Sequence, residues 1–97
     1  MNATIASAIA TRTVIEFDYN NEHRWAEPYA HGESNVGNEL TRAFQIGGGS
    51  ESGETSGWKL FNVAKISNLR LTPQTFADNR PGYNRNDPAL VITYSCV

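Results

Sequence analysis

The segments LTRAFQI (residues 40–46) and WKLFNV (residues 58–63) predict two neighbouring β-strands, joined by the glycine- and serine-rich residues 47–57. Side chains along a strand alternate between its two faces, and this alternation places Arg42 on a face that otherwise carries apolar residues. A permanent cation in that position needs either a protein carboxylate or an anionic ligand. The choice between these two partners decides what the protein does.

The length and the charge distribution limit the functional classes. A chain of 97 residues has room for one domain, which we assign to residues 1–97. The net charge of −2 is uneven, because residues 1–57 carry eight acids and three arginines, whereas residues 58–97 carry five bases and two acids. This balance disfavours non-specific binding to duplex DNA, although it is compatible with a local positive pocket.

Cysteine content and the N-terminal residues bear on the compartment. The single cysteine, Cys96, cannot form an internal disulfide, which fits a reducing environment. Residues 1–5 lack a basic region and a long apolar run, and no stretch approaches the length of a membrane span. We therefore expect a soluble cytoplasmic protein that does not associate with membranes.

Hydrophobic periodicity predicts a mainly β fold with a short N-terminal helix capped by Thr4. Residues 20–22 supply a turn after the first strand, and residues 31–38 form a loop. Pro28 withholds a backbone donor, which places its part of the second strand at an edge or a bulge. Pro73 stops the fifth strand. The predicted strands are residues 13–19, 24–30, 40–46, 58–63 and 66–71.

Five short strands separated by turn residues predict a small five-stranded β-barrel over about residues 13–72. A C-terminal extension, residues 73–97, follows it. Asp87 and Pro88 have the spacing of a cap and a first helical residue, so a short C-terminal helical turn is expected there. Residues 79–86 form an irregular basic segment.

Four segments taken in order resemble the WYL domain family over roughly residues 3–76. They are IEFDY (15–19), RWAEPY (24–29), GNELTRAF (37–44) and WKLFNVAKI (58–66). Each segment alone is a weak signal, and the resemblance depends on the ordered set. At the position of the family's Trp-Tyr-Leu triplet this chain has Asn-Glu-Leu.

The resemblance implies a small Sm-like β-barrel that senses nucleic acid or a nucleotide in bacterial transcription regulators and defence systems. In those regulators the domain follows a DNA-binding helix-turn-helix. With about ten residues ahead of its first strand, this chain resembles a stand-alone WYL module without operator binding of its own. The family's ligand residues are basic and polar side chains on one face of the barrel, and the matching positions are Arg24, Tyr29, Arg42, Trp58, Lys59 and Lys65.

Three of these residues have a structural alternative. Arg42 would either bind an anion or pair across the sheet with Glu27 or Glu16. Trp58 would either stack on a base or pack in the core or its rim, and Tyr29 has the same two roles open.

The other three candidates are cations with no distinctive sequence context. Lys59 and Lys65 would be ordinary solvated charges unless they lie close to Arg42. Arg24 would either bind the ligand or be an ordinary charge on the surface.

Patterns typical of catalysis and metal binding are missing. Glu54 occupies the place where a phosphate-binding loop needs lysine, so the glycines of residues 47–57 predict a mobile hairpin connection. His23, His31 and Cys96 lack metal-ligand spacing, and neither histidine lies in a nucleophile motif. We expect no metal, no cofactor and no enzymatic activity, and a ribonuclease using either histidine is disfavoured.

Two functional hypotheses remain from the sequence. The first is a non-enzymatic ligand-sensing or regulatory module that binds an anionic ligand, either single-stranded nucleic acid or a nucleotide. The alternative is a protein interaction or dimerisation module, which would pair with a partner or a second copy through exposed edge strands and bind no small ligand.

Overall fold

The computed structural model describes residues 1–50 and 53–97. Within them, one N-terminal helix precedes six strands, and a 3-10 turn at Val63–Lys65 follows the fourth strand. The elements are α1 (Ala3–Thr11), β1 (Thr13–Tyr19), β2 (Glu22–Glu33), β3 (Glu39–Gly48), β4 (Gly57–Asn62), β5 (Ser67–Thr75) and β6 (Ile92–Cys96). The prediction of a mainly β chain with a short N-terminal helix is confirmed.

Strand β2 organises an antiparallel sheet with the order β4-β3-β2-β1-β5. Residues 24–33 of β2 pair with β3 along one edge. On the other edge, residues 22–26 pair with β1 and residues 30–33 pair with β6. A single strand thus holds three others, and residues 26–32 are buried throughout.

The strand count and the closure differ from the sequence prediction. The described strands number six and form a sheet that is not closed, so the five-stranded barrel and the Sm-like fold are not confirmed. The sequence predicts only a short helical turn after Asp87, and it does not predict the sixth strand that follows this turn. Asp87 does form that turn, with its carbonyl accepting from the Leu90 amide, and β6 begins two residues later.

The two prolines had different outcomes. The bulge predicted at Pro28 is confirmed, because the β2–β3 register shifts between Pro28 and Ala30. The stop predicted at Pro73 is wrong, since β5 continues to Thr75. Strand β5 is an edge strand, where a residue without an N–H can leave its outer side unbonded. Strand β2 also runs into the predicted loop, because residues 30–33 pair with β6.

Helix α1 begins two residues earlier than its predicted cap would place it. Asn2, and not Thr4, is the N-cap, and its side-chain oxygen accepts from the Ile5 amide at 3.0 Å. The predicted apolar face is confirmed, because Ile5, Ala8 and Ile9 are buried. No helix in the described residues is long and apolar enough to cross a membrane.

Apolar side chains cluster on both faces of the sheet. Consecutive residues of β3 show this, because Ala43 belongs to one cluster and Phe44 packs against the other. The first cluster contains Ala8, Ile15, Phe17, Ala26, Ala43 and Phe61. The second contains Val14, Tyr29 and Phe76, against which Phe44, Ile46, Trp58, Tyr83 and Val97 pack.

Residues 76–91, between β5 and β6, cover the second cluster and are fastened to the sheet by side chains. Arg80 donates from Nε and Nη2 to the two carboxylate oxygens of the buried Glu27, both at 3.0 Å. Tyr83 donates from its hydroxyl to the Val97 carbonyl at 2.9 Å. The irregular segment therefore belongs to the same core as the strands.

Gly32 provides a test of the β2–β6 pairing. A Cβ at this position would overlap the Ile92 carbonyl oxygen and lie 3.1 Å from the Thr93 Cα, both backbone atoms that cannot rotate away. We expect Gly32→Ala to lower the free energy of unfolding by about 1–3 kcal/mol, the usual cost of overpacking, in urea denaturation. Gly47→Ala is the matched control, because its Cβ would meet nothing nearer than Trp25 at 3.8 Å. Equal stability of the two variants would contradict the described pairing.

Candidate functional site

Arg42 is paired with a carboxylate, as one of its two predicted roles requires. Its Nε donates to Asp87 Oδ2 at 2.6 Å and its Nη2 to Asp87 Oδ1 at 3.3 Å. The prediction of Glu27 or Glu16 as the partner is wrong, because Arg80 holds Glu27 and Arg70 holds Glu16. The hydrogen bonds from Arg42 lower the pKa of Asp87, which keeps the ion pair charged.

Tyr29 lies in the interior of the protein. It is fully buried, and its hydroxyl donates to Glu27 at 3.1 Å and accepts from the Arg80 amide at 3.1 Å. Burial raises the pKa of the Tyr29 hydroxyl. In this structure its ring packs against other aromatic rings, which matches the core role left open by the sequence.

Trp58 is half-buried, and its contacts match the predicted packing at the rim of the core. Its ring centroid lies 4.9 Å from that of Tyr29 and 5.3 Å from that of Phe44, so one side of the indole is core packing. Its Nε1 donates to the Pro81 carbonyl at 2.8 Å. Trp58 also lines a cavity of about 280 Å³ together with Arg42.

Arg24 is the least satisfied cation among the predicted residues. The residue is only 4% exposed, although arginine is rarely buried without a partner. Its contacts to Gln45 Oε1 (3.5 Å), the Tyr19 carbonyl (3.4 Å) and Glu22 Oε1 (3.5 Å) all exceed the usual hydrogen-bond range of about 2.7–3.2 Å. Its Nε is buried and has no hydrogen-bond partner.

Two aromatic rings contact the Arg24 guanidinium. Its central carbon lies 5.2 Å from the ring centroid of Tyr19 and 5.7 Å from that of Phe61. Ring faces attract a cation, but they do not replace hydrogen-bond acceptors. The positive charge therefore lies in the interior with a long ion pair to Glu22, whose Oε1 is 3.5 Å from Nη2.

Lys59 and Arg24 line one small cavity, which we call the basic pocket. Its volume is about 180 Å³, and its lining residues are Tyr19, Asn20, Arg24, Ser50, Lys59, Leu60 and Phe61. Lys59 pairs with Ala43 in the sheet, so its side chain is directed to the face opposite Arg42. Its Nζ donates to Ser50 Oγ at 3.2 Å.

The turn between β1 and β2 shapes this pocket. Asn20 and Asn21 both have positive φ (51° and 62°), the conformation of a type I′ hairpin turn, and the predicted turn is confirmed. The tight turn places Tyr19 near Arg24. Tyr19 in turn accepts from the Asn62 amide through its hydroxyl at 3.1 Å, which ties the pocket to the end of β4.

Lys65 is exposed and lines a third cavity, of about 700 Å³, with His23. This cavity shares Tyr19 and Asn20 with the basic pocket. The six predicted residues therefore divide into two regions. Arg24, Lys59 and Lys65 surround the β1–β2 turn. Arg42 and Trp58 lie on the other face of β3 and β4, where Tyr29 of β2 packs against Trp58.

Both histidines are bonded to carboxylates. His23 lies between two carboxylates, with Nδ1 2.7 Å from Asp18 and Nε2 2.9 Å from Glu16. The fully buried His31 has its Nε2 2.5 Å from Glu39. Across residues 1–50 and 53–97, no group of three metal-ligating side chains is close enough to hold a metal ion.

No family model matches this sequence, and comparisons with curated proteins and with solved structures returned no significant match. The resemblance to the WYL family stays a prediction.

Sequence reasoning missed the residues that bind Arg42 and Glu27. Asp87 was predicted only as a helix cap and Arg80 only as part of the irregular basic segment, and they lie 45 and 53 residues from their partners. The uneven charge distribution was the available signal. An acidic first half and a basic second half are expected to pair, as Glu27 with Arg80 and Glu16 with Arg70 do.

The His23 cluster makes stability depend on pH. Hydrogen bonds that His23 donates to Glu16 and then to Asp18 raise the pKa of His23 above its ordinary 6.5, so its stabilising effect is complete below that pH. The effect is lost as the pH rises through the raised folded-state value. At the acid end it is lost as the lowered pKa values of Glu16 and Asp18 are crossed.

We expect His23→Gln to lower the urea midpoint most in weakly acidic solution and to have little effect at alkaline pH. Urea denaturation of both proteins across this range checks the prediction. A difference that stays constant with pH would contradict it.

Proposed function

We propose that the protein is a non-enzymatic binding module whose anionic ligand places a phosphate group in the basic pocket. The ligand class is single-stranded nucleic acid or a nucleotide. One observation carries the proposal: Arg24 is a buried cation whose Nε has no partner and whose other contacts are all long.

A buried charge that is only weakly paired lowers the stability of the folded state, and the ion pair of Arg24 with Glu22 is long, at 3.5 Å. A phosphate oxygen would accept from the unused Nε, and a second oxygen would accept from a terminal nitrogen, as guanidinium groups bind phosphate in two-point geometry. Lys59 would add a point charge from β4. Lys65, on the adjoining cavity, would attract the next phosphate of a chain.

Pocket size and overall charge favour this ligand class over a duplex. A cavity of about 180 Å³ can hold a single anionic group, but it is too small to accommodate a nucleic-acid double helix. The net charge of −2 also provides no extended basic surface for a duplex backbone. The ligand therefore reaches the pocket as a flexible strand or as a small molecule.

The proposal extends to architecture and setting. The hydrogen-bonded order β5-β1-β2-β3-β4 leaves β4 and β5 at the two ends of the sheet, and pairing between these two edges would close it into a five-stranded barrel. Together with the resemblance to WYL domains, this supports a ligand sensor of a bacterial regulatory or defence system. Such a sensor would act in the cytoplasm without operator binding of its own.

Replacing Arg24 separates a ligand role from a structural one. We expect Arg24→Met to weaken binding of a fluorescently labelled single-stranded oligonucleotide at least about tenfold, measured by anisotropy at fixed salt. The same variant should be as stable as the wild type or more stable, because an apolar side chain of similar length removes a buried charge that has only a long ion pair. Thermal unfolding measures this second effect.

Arg85→Met is the matched control, since it removes the same charge from an exposed position and should leave binding nearly unchanged. Lys59→Gln, at a half-buried position, should weaken binding without unfolding the protein. Unchanged affinity in Arg24→Met, or its failure to fold, would assign Arg24 a structural role and contradict the proposal.

A second candidate function rests on the open sheet. Strands β4 and β5 are its edges, and each presents an exposed leucine: Leu60 is 38% and Leu71 45% exposed. Unpaired edges of this kind pair with a partner or with a second copy. A stable dimer in light scattering, with no affinity for oligonucleotides or nucleotides, would favour this function over anion binding.

A further inference from the structure

The cavity beside Arg42 is chemically different from the basic pocket. We call it the aromatic cleft; its defining residues are Arg42, Trp58, Tyr83, Asn84 and Asp87, and its volume is about 280 Å³. It lies on the opposite face of β3 and β4, because Arg42 and Trp58 alternate with Ala43 and Lys59 along these strands. Arg42 and Trp58 are predicted ligand residues, and Tyr83, Asn84 and Asp87 of the C-terminal segment complete the cleft.

Arg42 has hydrogen-bond donors left over after pairing with Asp87. The carboxylate engages Nε and one N–H of Nη2, which is the side edge of the guanidinium. A guanidinium has five N–H donors, so the outer N–H groups of Nη1 and Nη2 remain as a parallel pair. The Arg42 side chain is 28% exposed, and in the described residues no further acceptor bonds to it.

Asp87 changes the kind of ligand that this pair of donors prefers. The Asp87 side chain is only 7% exposed, and its Oδ1 also accepts from the Ala89 amide at 3.0 Å. The carboxylate is therefore held firmly beside the arginine and neutralises it. A second anion would be repelled by Asp87, whereas a neutral group with two adjacent acceptors would not.

Aromatic rings form one wall of the cleft. The Trp58 and Tyr83 rings are nearly parallel, with an interplanar angle of 21° and a centroid distance of 6.0 Å. Both residues are half-buried. The Trp58 N–H is bonded to the Pro81 carbonyl, which fixes the orientation of the indole. Such a wall favours a flat ring that stacks on it.

We infer that the aromatic cleft binds a guanine base, with O6 and N7 accepting from the Arg42 donor pair and the ring lying against the Trp58 and Tyr83 wall. Arginine recognises guanine through these two adjacent acceptors, whereas adenine presents a donor in place of O6. The cleft is smaller than drug-sized sites of about 300–1,000 Å³, so it suits one base. The inference rests on the proposed function, because guanine is a component of both proposed ligand types.

Tryptophan fluorescence tests this inference directly. The chain has two tryptophans, and Trp25→Phe leaves Trp58 as the single reporter. In this variant we expect saturable quenching by guanosine. Adenosine, which lacks O6, and 7-deazaguanosine, which lacks N7, should bind at least about tenfold more weakly. Equal affinity for the three nucleosides, or no saturable quenching by any of them, would overturn the inference.

Two further arms identify the source of the base. Guanosine monophosphate represents a free nucleotide, and a short single strand with one guanine, compared with the same strand carrying adenine there, represents nucleic acid. Guanine preference in either arm supports the inference, and its absence from both contradicts it. Because guanosine carries no phosphate, failure here is distinguishable from failure of anion binding in the basic pocket.

Arg42→Lys in the Trp25→Phe background tests the two-point contact. Lysine keeps the positive charge beside Asp87 but has no planar fork, so guanosine affinity should fall at least about tenfold. Arg70→Lys is the matched control, because Arg70 is exposed and pairs with Glu16 away from the cleft. Unchanged guanosine affinity in Arg42→Lys would overturn the inference. If Arg42→Lys does not fold, the comparison of guanosine, adenosine and 7-deazaguanosine still tests the inference, because it leaves Arg42 unchanged.

Discussion

The three-fold pairing of β2 is the constraint on which the rest of the structure depends. One strand bonds to β3 along one edge and to β1 and β6 along the other, so both of its edges are hydrogen-bonded. The bulge at Pro28 falls between the β1 and β6 pairings, where a missing N–H interrupts no bond to either strand. Because β2 is buried from residue 26 to 32, polar side chains on and next to that stretch must find partners inside the protein.

Most of those side chains do find partners, and Arg24 carries the functional argument. Glu27 is held by Arg80 and Tyr29. His31 bonds to Glu39 through Nε2, whereas its buried Nδ1 has no partner. Arg24 has only long contacts and an unused Nε. Natural sequences break local rules of polar satisfaction mainly where function requires it. An anion in the basic pocket is the partner that would complete the arrangement around Arg24.

Local patterns predicted the local structure well, and long-range partners were beyond them. The β1 strand, the turn at Asn20, and strands β3 and β4 follow from alternation and turn residues. The β6 strand, the Asp87 partner of Arg42 and the burial of Arg24 depend on how the chain returns to β2. The two-residue alternation of a strand contains no information about a contact formed with a residue 45 positions away. The predicted grouping of Arg42 with Lys59 failed for a simple reason: paired strands placed them on opposite faces.

The most direct test of the account is the side-chain NMR signal of Arg24 Nε–Hε, observed while inorganic phosphate replaces chloride at constant ionic strength. The account predicts a saturable downfield shift for Arg24, since a buried, unpartnered N–H gains an acceptor, and only small, non-saturating changes for the exposed Arg70 and Arg85. An Arg24 signal that stays fixed, or one that moves no more than the exposed arginines, would contradict the assignment of Arg24 as the centre of an anion site.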